Sequence, residues 1–167
     1  MILLTVGTEK FSFHRLVEVF DQLAIGPLSD RECFAQIGSS SVEPKNVGFD
    51  RLVPFDRMRE LIAGAELVIT HAGAGSSLLC LELGQRPIAV PRLHAHGEHV
   101  DNHQQLFAER LSGEGLLDCV TDLSQLGTRI TERLSAGSTG RAVKRDTSLA
   151  QALHGVLEGY EREGGSL

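Results

Sequence analysis

The stretch Val68-Ile69-Thr70-His71-Ala72-Gly73-Ala74-Gly75-Ser76-Ser77 carries an apolar strand straight into a turn of small residues that opens a helix. Gly73 and Gly75 lack a Cβ, so the backbone bends sharply there and its N–H groups can approach a ligand. The helix that follows, roughly Ser76 to Leu83, starts with unpaired N–H donors and partial positive charge. His71 at the strand end and the hydroxyls of Ser76 and Ser77 add donors at the same point. Two readings fit this stretch alone: a phosphate-bearing ligand seated on the turn, or a plain strand-to-helix connection packed tightly by small residues.

Upstream, Ile2 to Val6 is a short apolar run that meets Gly7-Thr8, after which Phe13, Leu16, Val17 and Phe20 recur at helical spacing. Gly26-Pro27 closes that helix, and Cys33 to Ile37 reads as a second strand ending at Gly38. Val47-Gly48-Phe49 and Leu52-Val53-Pro54-Phe55 read as short extended pieces, with Pro54 excluded from a central strand. Asp56 is expected to cap a helix through Met58, Leu61 and Ile62 that stops at Gly64. Downstream, Gly84 ends the helix after His71, and Pro87 to Val90 is another buried-looking strand. Arg92 to Gly97 reads as a loop, Glu98 to Leu111 as a helix, and Leu116 to Val120 as a last short strand. Asp122 is expected to cap a helix holding Leu123, Leu126, Ile130 and Leu134. The Ser/Gly/Thr stretch from Ser135 to Asp146 reads as a solvated loop, and Leu149, Leu153 and Val156 as a closing helix.

Strand and helix alternate throughout, and the strands are too uniformly apolar for a one-faced antiparallel sheet. The expected fold is therefore α/β, a Rossmann-like parallel sheet with helices on both faces. In such sheets ligands bind outside the carboxyl ends of the strands, where strand order reverses. The turns at Gly7-Thr8, Gly38-Ser39, His71-Ala72-Gly73 and Arg92-Leu93-His94 all fall at such ends and converge on one rim.

With 167 residues the chain suits one domain, 1–160, with 161–167 as a frayed tail. Its 16 basic against 22 acidic residues argue against a broad nucleic-acid footprint. No run reaches the length of a membrane span, and the Met1-Ile2-Leu3-Leu4-Thr5 start lacks a signal peptide's basic flank, so a cytoplasmic chain is expected. Cys33, Cys80 and Cys119 stand far apart among apolar neighbours, as buried reduced thiols do.

On the rim, the Thr5-Val6-Gly7-Thr8 turn offers amides and the Thr8 hydroxyl to a diphosphate, or is an ordinary strand-to-helix turn. The segment His94-Ala95-His96-Gly97-Glu98-His99-Val100-Asp101-Asn102-His103-Gln104 gathers polar groups into one loop and helix start. Glu98 and Asp101 suit a first-turn dipole role. Asn102, His103 and Gln104 have no such reason to be there and point to a polyhydroxylated ligand such as a sugar. A metal site is the competing reading, since His99 and His103 at helical spacing would share a face, with His94 or His96 beside them. The helical metalloprotease pattern is absent, because no Glu follows His99 directly.

Several of these pieces occur together and in order: Thr5-Val6-Gly7-Thr8, Gln36-Ile37-Gly38 with Glu43-Pro44-Lys45-Asn46, His71-Ala72-Gly73-Ala74-Gly75-Ser76, Leu83-Gly84 with Pro87, Pro91-Arg92, and Gly97 to Gln104. In this order they resemble the carboxyl-terminal, donor-binding domain of family 28 glycosyltransferases. The nearest likeness is to the stand-alone subunits of bacterial exopolysaccharide synthesis and to the catalytic subunit of the two-subunit lipid-linked N-acetylglucosaminyltransferase. The resemblance implies one half of a GT-B enzyme that binds a UDP-sugar, with no cofactor and no catalytic metal. Gly7, Thr8, His71, Gly73, Ala74, Gly75 and Ser76 would hold the diphosphate, and His99, Asp101, Asn102 and Gln104 would face the donor sugar. Transfer would invert the anomeric carbon.

One position departs from the family pattern: Leu79 stands where a glutamate normally holds the ribose hydroxyls, and Glu82 does not take that role. With the first strand expected at Ile2, no acceptor domain is expected ahead of it, and the resemblance then implies a membrane-associated partner subunit that completes the cleft for a lipid-linked acceptor. The chain would lie at the membrane through that partner. No catalytic base is assigned in this chain; His14 is the alternative to one supplied by the partner. The rival reading is a non-catalytic module that keeps the fold and binds donor weakly. Gly73→Val is expected to abolish donor binding and leave the fold.

Overall fold

The computed structural model describes residues 1–136. Six parallel strands form one sheet: β1 (Ile2–Thr5), β2 (Cys33–Gln36), β3 (Gly48–Asp50), β4 (Leu67–Thr70), β5 (Ile88–Ala89) and β6 (Asp118–Cys119). Their spatial order is β3-β2-β1-β4-β5-β6. The chain starts in the middle, winds outward through β2 and β3, and returns to place β4 against β1, in register from Ile2 opposite Leu67 to Thr5 opposite Thr70. The order reverses between β1 and β4, and both strands are buried along their whole length. Strands covered on both faces have no solvent side, which is why they read as continuous apolar runs.

Among the described residues five helices cover the sheet: α1 (His14–Ala24), α2 (Phe55–Gly64), α3 (Ala74–Glu82), α4 (His103–Gly113) and α5 (Leu126–Ser135). Ile2, Leu4 and Ile69 pack with Leu16, Val17 and Phe20 of α1 and with Leu126 and Ile130 of α5. On the other face Leu3 and Val68 meet Leu61 and Ile62 of α2 and Cys80 of α3. Farther along that face Ala89 and Leu117 meet Leu81 of α3 and Phe107 and Leu111 of α4. Helix α3 is common to both clusters, so α2, α3 and α4 follow one another across one face with α3 in the middle.

Helix α3 ends as expected at Gly84. Gly84 N–H donates to Leu81 O and Gln85 N–H to Cys80 O, the paired closure that needs a left-handed residue, and Gly84 has φ +78°. Elsewhere the boundaries shift. The expected Asp56 cap is absent: α2 begins at Phe55 behind Pro54, and Asp56 lies inside the first turn. Asp122 does cap, accepting from Ser124 N at 2.9 Å, but it opens a 3₁₀ turn, Leu123–Gln125, that runs into α5. The expected helix from Glu98 starts only at His103, because the Glu98 side chain is drawn inward and buried. Cys80 is buried as expected, whereas Cys33 and Cys119 are half-buried; all three are free. The expected closing helix with Leu149, Leu153 and Val156, the loop beyond 136 and the 161–167 tail lie outside the described residues.

Candidate functional site

The turns after β1 and β4 meet where strand order reverses, and His71 lies between them. Gly7 has φ +73°, and a Cβ there would come within 2.5 Å of the imidazole Cε1. A Cβ on Gly73 would come within 2.2 Å of Nε2. Both glycines are therefore required by the His71 ring itself, which fills the space side chains would need. Ala72 between them has φ 63°, the sole positive φ at a non-glycine among the described residues, and strain of this kind clusters at ligand sites. Burial, then the nearby Arg92 charge, lowers the His71 pKa to about 3. The imidazole is therefore neutral at ordinary pH. Its Nδ1 is buried without a partner among the described residues.

Gln36 holds the first turn. Its Oε1 accepts from Thr5 Oγ1 at 2.7 Å and Gly7 N at 3.0 Å, and its Nε2 donates to Gly7 O at 2.8 Å and Arg51 O at 2.9 Å. That is a side-chain amide with all its main bonding positions used. Gly38, at φ +51°, packs its backbone against the same turn, and a Cβ there would meet Gly7 O at 2.4 Å.

Arg92 is fully buried and donates to Val6 O at 2.8 Å and Phe11 O at 2.9 Å, with its guanidinium over the Phe13 ring at 4.8 Å. Arg15 sits 5.1 Å from the same ring and binds Glu98 through two bonds, at 2.6 and 2.9 Å. Glu98 also accepts from Leu93 N at 3.0 Å. Burial lowers the Arg92 pKa while the Glu98 and Glu9 charges raise it. This network ties the Gly7 turn to the 92–98 loop, so Arg92 and Glu98 serve the frame of the site.

A cavity of about 760 Å³ opens over these turns. Its floor is Gly7, Thr8, His71 and the start of α3. The first bond of α3 runs from Ser77 N to Gly73 O at 2.9 Å, so the amides of Ala74, Gly75 and Ser76 are those the helix leaves unpaired. The α2 flank is apolar, with Val53, Phe55 and Met58 joined by Leu79 of α3. The α4 flank is polar: His99, Asp101, His103 and Gln104. Asp101 is bracketed by His99 Nδ1 at 3.0 Å and His103 Nδ1 at 2.9 Å, and accepts from His103 N at 3.0 Å. That backbone bond, followed by the His103 charge and the His99 bond, lowers its pKa.

Of the residues singled out in the sequence, Gly7, Thr8, His71, Gly73, Ala74, Gly75, Ser76, His99, Asp101 and Gln104 line this one cavity. Asn102 does not; its Oδ1 accepts from His94 N at 2.9 Å and fastens the preceding loop. His99 and His103 share Asp101 rather than a helical face, because α4 begins after His99. His14 opens α1 and is outside the cavity lining. Sequence reasoning missed Glu9, Val53, Phe55, Met58 and Phe107 as lining residues. It also missed the clamping role of Gln36, although Gln36-Ile37-Gly38 is one of the family-like pieces and puts a polar residue at the end of an apolar strand.

The sheet order, the cradle at its switch point and the two unlike flanks describe a Rossmann-like α/β half-domain with a cleft at the carboxyl ends of its strands. The chain belongs to glycosyltransferase family 28, matching the C-terminal domain of that family over residues 1–156. It is similar to the human UDP-N-acetylglucosamine transferase subunit ALG13, 34% identical over 123 residues, which is 70% of this chain and 10% of that protein. The mouse protein of the same name is 31% identical over 125 residues, 68% of this chain and 10% of its own length. The chain thus spans about a tenth of these curated relatives. Among solved structures it resembles the glycosyltransferase of kitacinnamycin, with TM-score 0.58, 21% identity, and 98% of this chain against 40% of that one. It also resembles Acinetobacter baumannii MurG, with TM-score 0.51, 21% identity, and 79% of this chain against 40% of that one. At these identities the structural likeness shows the fold: a GT-B type half-domain, as the sequence pattern predicts.

Proposed function

We propose that the chain is the donor-binding subunit of an inverting glycosyltransferase that moves a sugar from a UDP-sugar to a lipid-linked acceptor in polysaccharide assembly. The observation that carries this reading is the cradle itself: the Gly7 turn and the unpaired amides of α3 face one cavity at the switch point of the sheet. Backbone donors at a helix start suit a diphosphate and gain strength as charge builds on it during departure. Thr8 and Ser76 add hydroxyls, and neutral His71 adds a ring N–H without a charge to neutralise. Gln104, whose Oε1 accepts from Arg92 N at 3.3 Å, and Asp101 stand on the flank suited to a polyhydroxylated sugar.

In the transfer, the bond between the anomeric carbon and the diphosphate oxygen breaks while an acceptor hydroxyl attacks from the opposite side. The acceptor proton goes to a base supplied by a partner subunit, for the described residues cover one side of the cleft. Among the described residues no helix is long and apolar enough to cross a membrane, which fits attachment through that partner. The name "transferase subunit" borne by the ALG13 relatives supports a two-subunit arrangement.

Calorimetric titration with UDP and UDP-sugars tests the reading, and micromolar binding is the expected result. Gln104→Ala is expected to weaken UDP-sugar binding more than UDP binding, and equal losses would remove Gln104 from the sugar subsite. The second reading, a module that retains the fold with weak donor binding, is favoured by one observation, the apolar Leu79 in the cavity wall. No binding at millimolar donor, with or without the partner, would establish it.

A further inference from the structure

On the donor-cleft reading just given, the cavity has a sugar flank and a nucleoside flank, and the two are chemically opposite. The carboxylates among the described lining residues are Glu9 and Asp101. Asp101 stands on the α4 flank between two imidazoles, and Glu9 follows Thr8 in the turn after β1, which the Val53 and Phe55 wall does not include. The α2 flank offers Val53, Phe55, Met58 and Leu79 instead. Phe55 is 65% exposed at the cavity margin, with the Arg59 guanidinium 5.9 Å from its ring centroid on one face, and an aromatic ring of this exposure can stack on a base. Val53, Met58 and Leu79 pack into the cluster beneath it.

A site rejects a deoxy analogue when it holds an acceptor that the missing hydroxyl would leave unpaired. No side-chain oxygen or nitrogen acceptor stands among the lining residues of the α2 flank, Val53, Phe55, Met58 and Leu79. Gln36, the amide nearest the β2 end, has its bonds committed to Thr5, Gly7 and Arg51. Ser76 belongs to the first turn of α3, with the diphosphate amides. We infer that the nucleoside subsite reads the base by stacking and shape and leaves the 2′-hydroxyl unread. Ribonucleoside and 2′-deoxyribonucleoside diphosphates are then equivalent ligands of this chain, both as free nucleotides and as sugar donors.

Titration of the full chain with UDP, 2′-deoxy-UDP and inorganic pyrophosphate decides the point. The expected result is dissociation constants for the two nucleotides within about threefold of each other, both tighter than pyrophosphate. A larger penalty for 2′-deoxy-UDP overturns the inference. If pyrophosphate binds as tightly as either nucleotide, the cradle stands and the apolar flank is not a nucleoside subsite, which also overturns it. If none of the three binds, the donor-cleft reading itself has failed.

Leu79→Glu places an acceptor on this flank and is expected to favour UDP over 2′-deoxy-UDP by about tenfold; an unchanged ratio counts against the inference. Phe55→Ala, at an exposed position, carries no folding risk from the core. It is expected to weaken both nucleotides by the same factor of about five. Unequal losses would overturn the shared mode of binding.

Discussion

An imidazole wedged between two glycines is a group whose protonation the fold opposes. An unfolded histidine titrates near 6.5, whereas burial brings His71 to about 3. Between those values the unfolded chain holds the extra proton, so stability falls as pH drops through this window. The His71 contribution to the loss reaches about 2 kcal/mol by pH 5. Urea unfolding followed from pH 7.5 to 4.5 should show that slope, and His71→Gln should flatten it. Asp101 works in the same direction at lower pH: its depressed pKa adds stability above the ordinary carboxylate range that is lost as pH falls through the folded value. The same wedge revises the expectation for Gly73→Val. The branched side chain would meet His71 before it met any ligand, so folding and donor binding should fail together, and thermal melting beside nucleotide titration would show both.

At the level of elements, two side chains do what the strands and helices alone do not. Gln36→Leu leaves the Gly7 amide and two carbonyls without their partner and should cost roughly 3 kcal/mol while loosening the Gly7 turn. Denaturant unfolding and UDP titration on the one variant would measure both effects. Glu98→Gln removes the carboxylate that pairs with Arg15 and offsets the buried Arg92 charge, again worth roughly 3 kcal/mol, read as a lowered denaturation midpoint. These two cases mark what was legible in the sequence. The α3 turn was readable because strand, glycines and helix start are neighbours in the chain. Glu98 reads as a first-turn residue because Glu98 to Leu111 reads as one helix, whose dipole an acidic residue suits at that end. Its partner Arg15 is 83 residues away, and no local pattern reveals that pairing. The Phe55 wall was missed for a related reason: Leu52-Val53-Pro54-Phe55 reads as a short extended piece, and only the tertiary arrangement sets Phe55 at the start of α2 on the cavity margin.

For the whole molecule, the exposed large apolar residues are distributed unevenly. Among the described residues Ile25 is exposed just past the end of α1, whereas Phe55 lines the cavity and Leu52, Val100 and Leu106 are chain neighbours of its lining residues, these four between 54% and 66% exposed. On the two-subunit reading these margins meet the partner. Replacing Val100 and Leu106 together with Asp should abolish co-purification with the acceptor-binding subunit and leave UDP affinity unchanged. The parallel sheet and its switch point were predictable, since alternation of apolar strands and helices admits few other topologies. Which flank is apolar was not, because it depends on how α2 and α4 sit on either side of α3. The saturated amide of Gln36 has one further effect. A turn already fastened to Gln36 by three bonds, through the Thr5 hydroxyl and both backbone groups of Gly7, has little freedom left to surrender when nucleotide arrives, so capture should proceed without a slow closing step there. Amide exchange at Gly7 would accordingly be as slow in the free protein as in the nucleotide-loaded one.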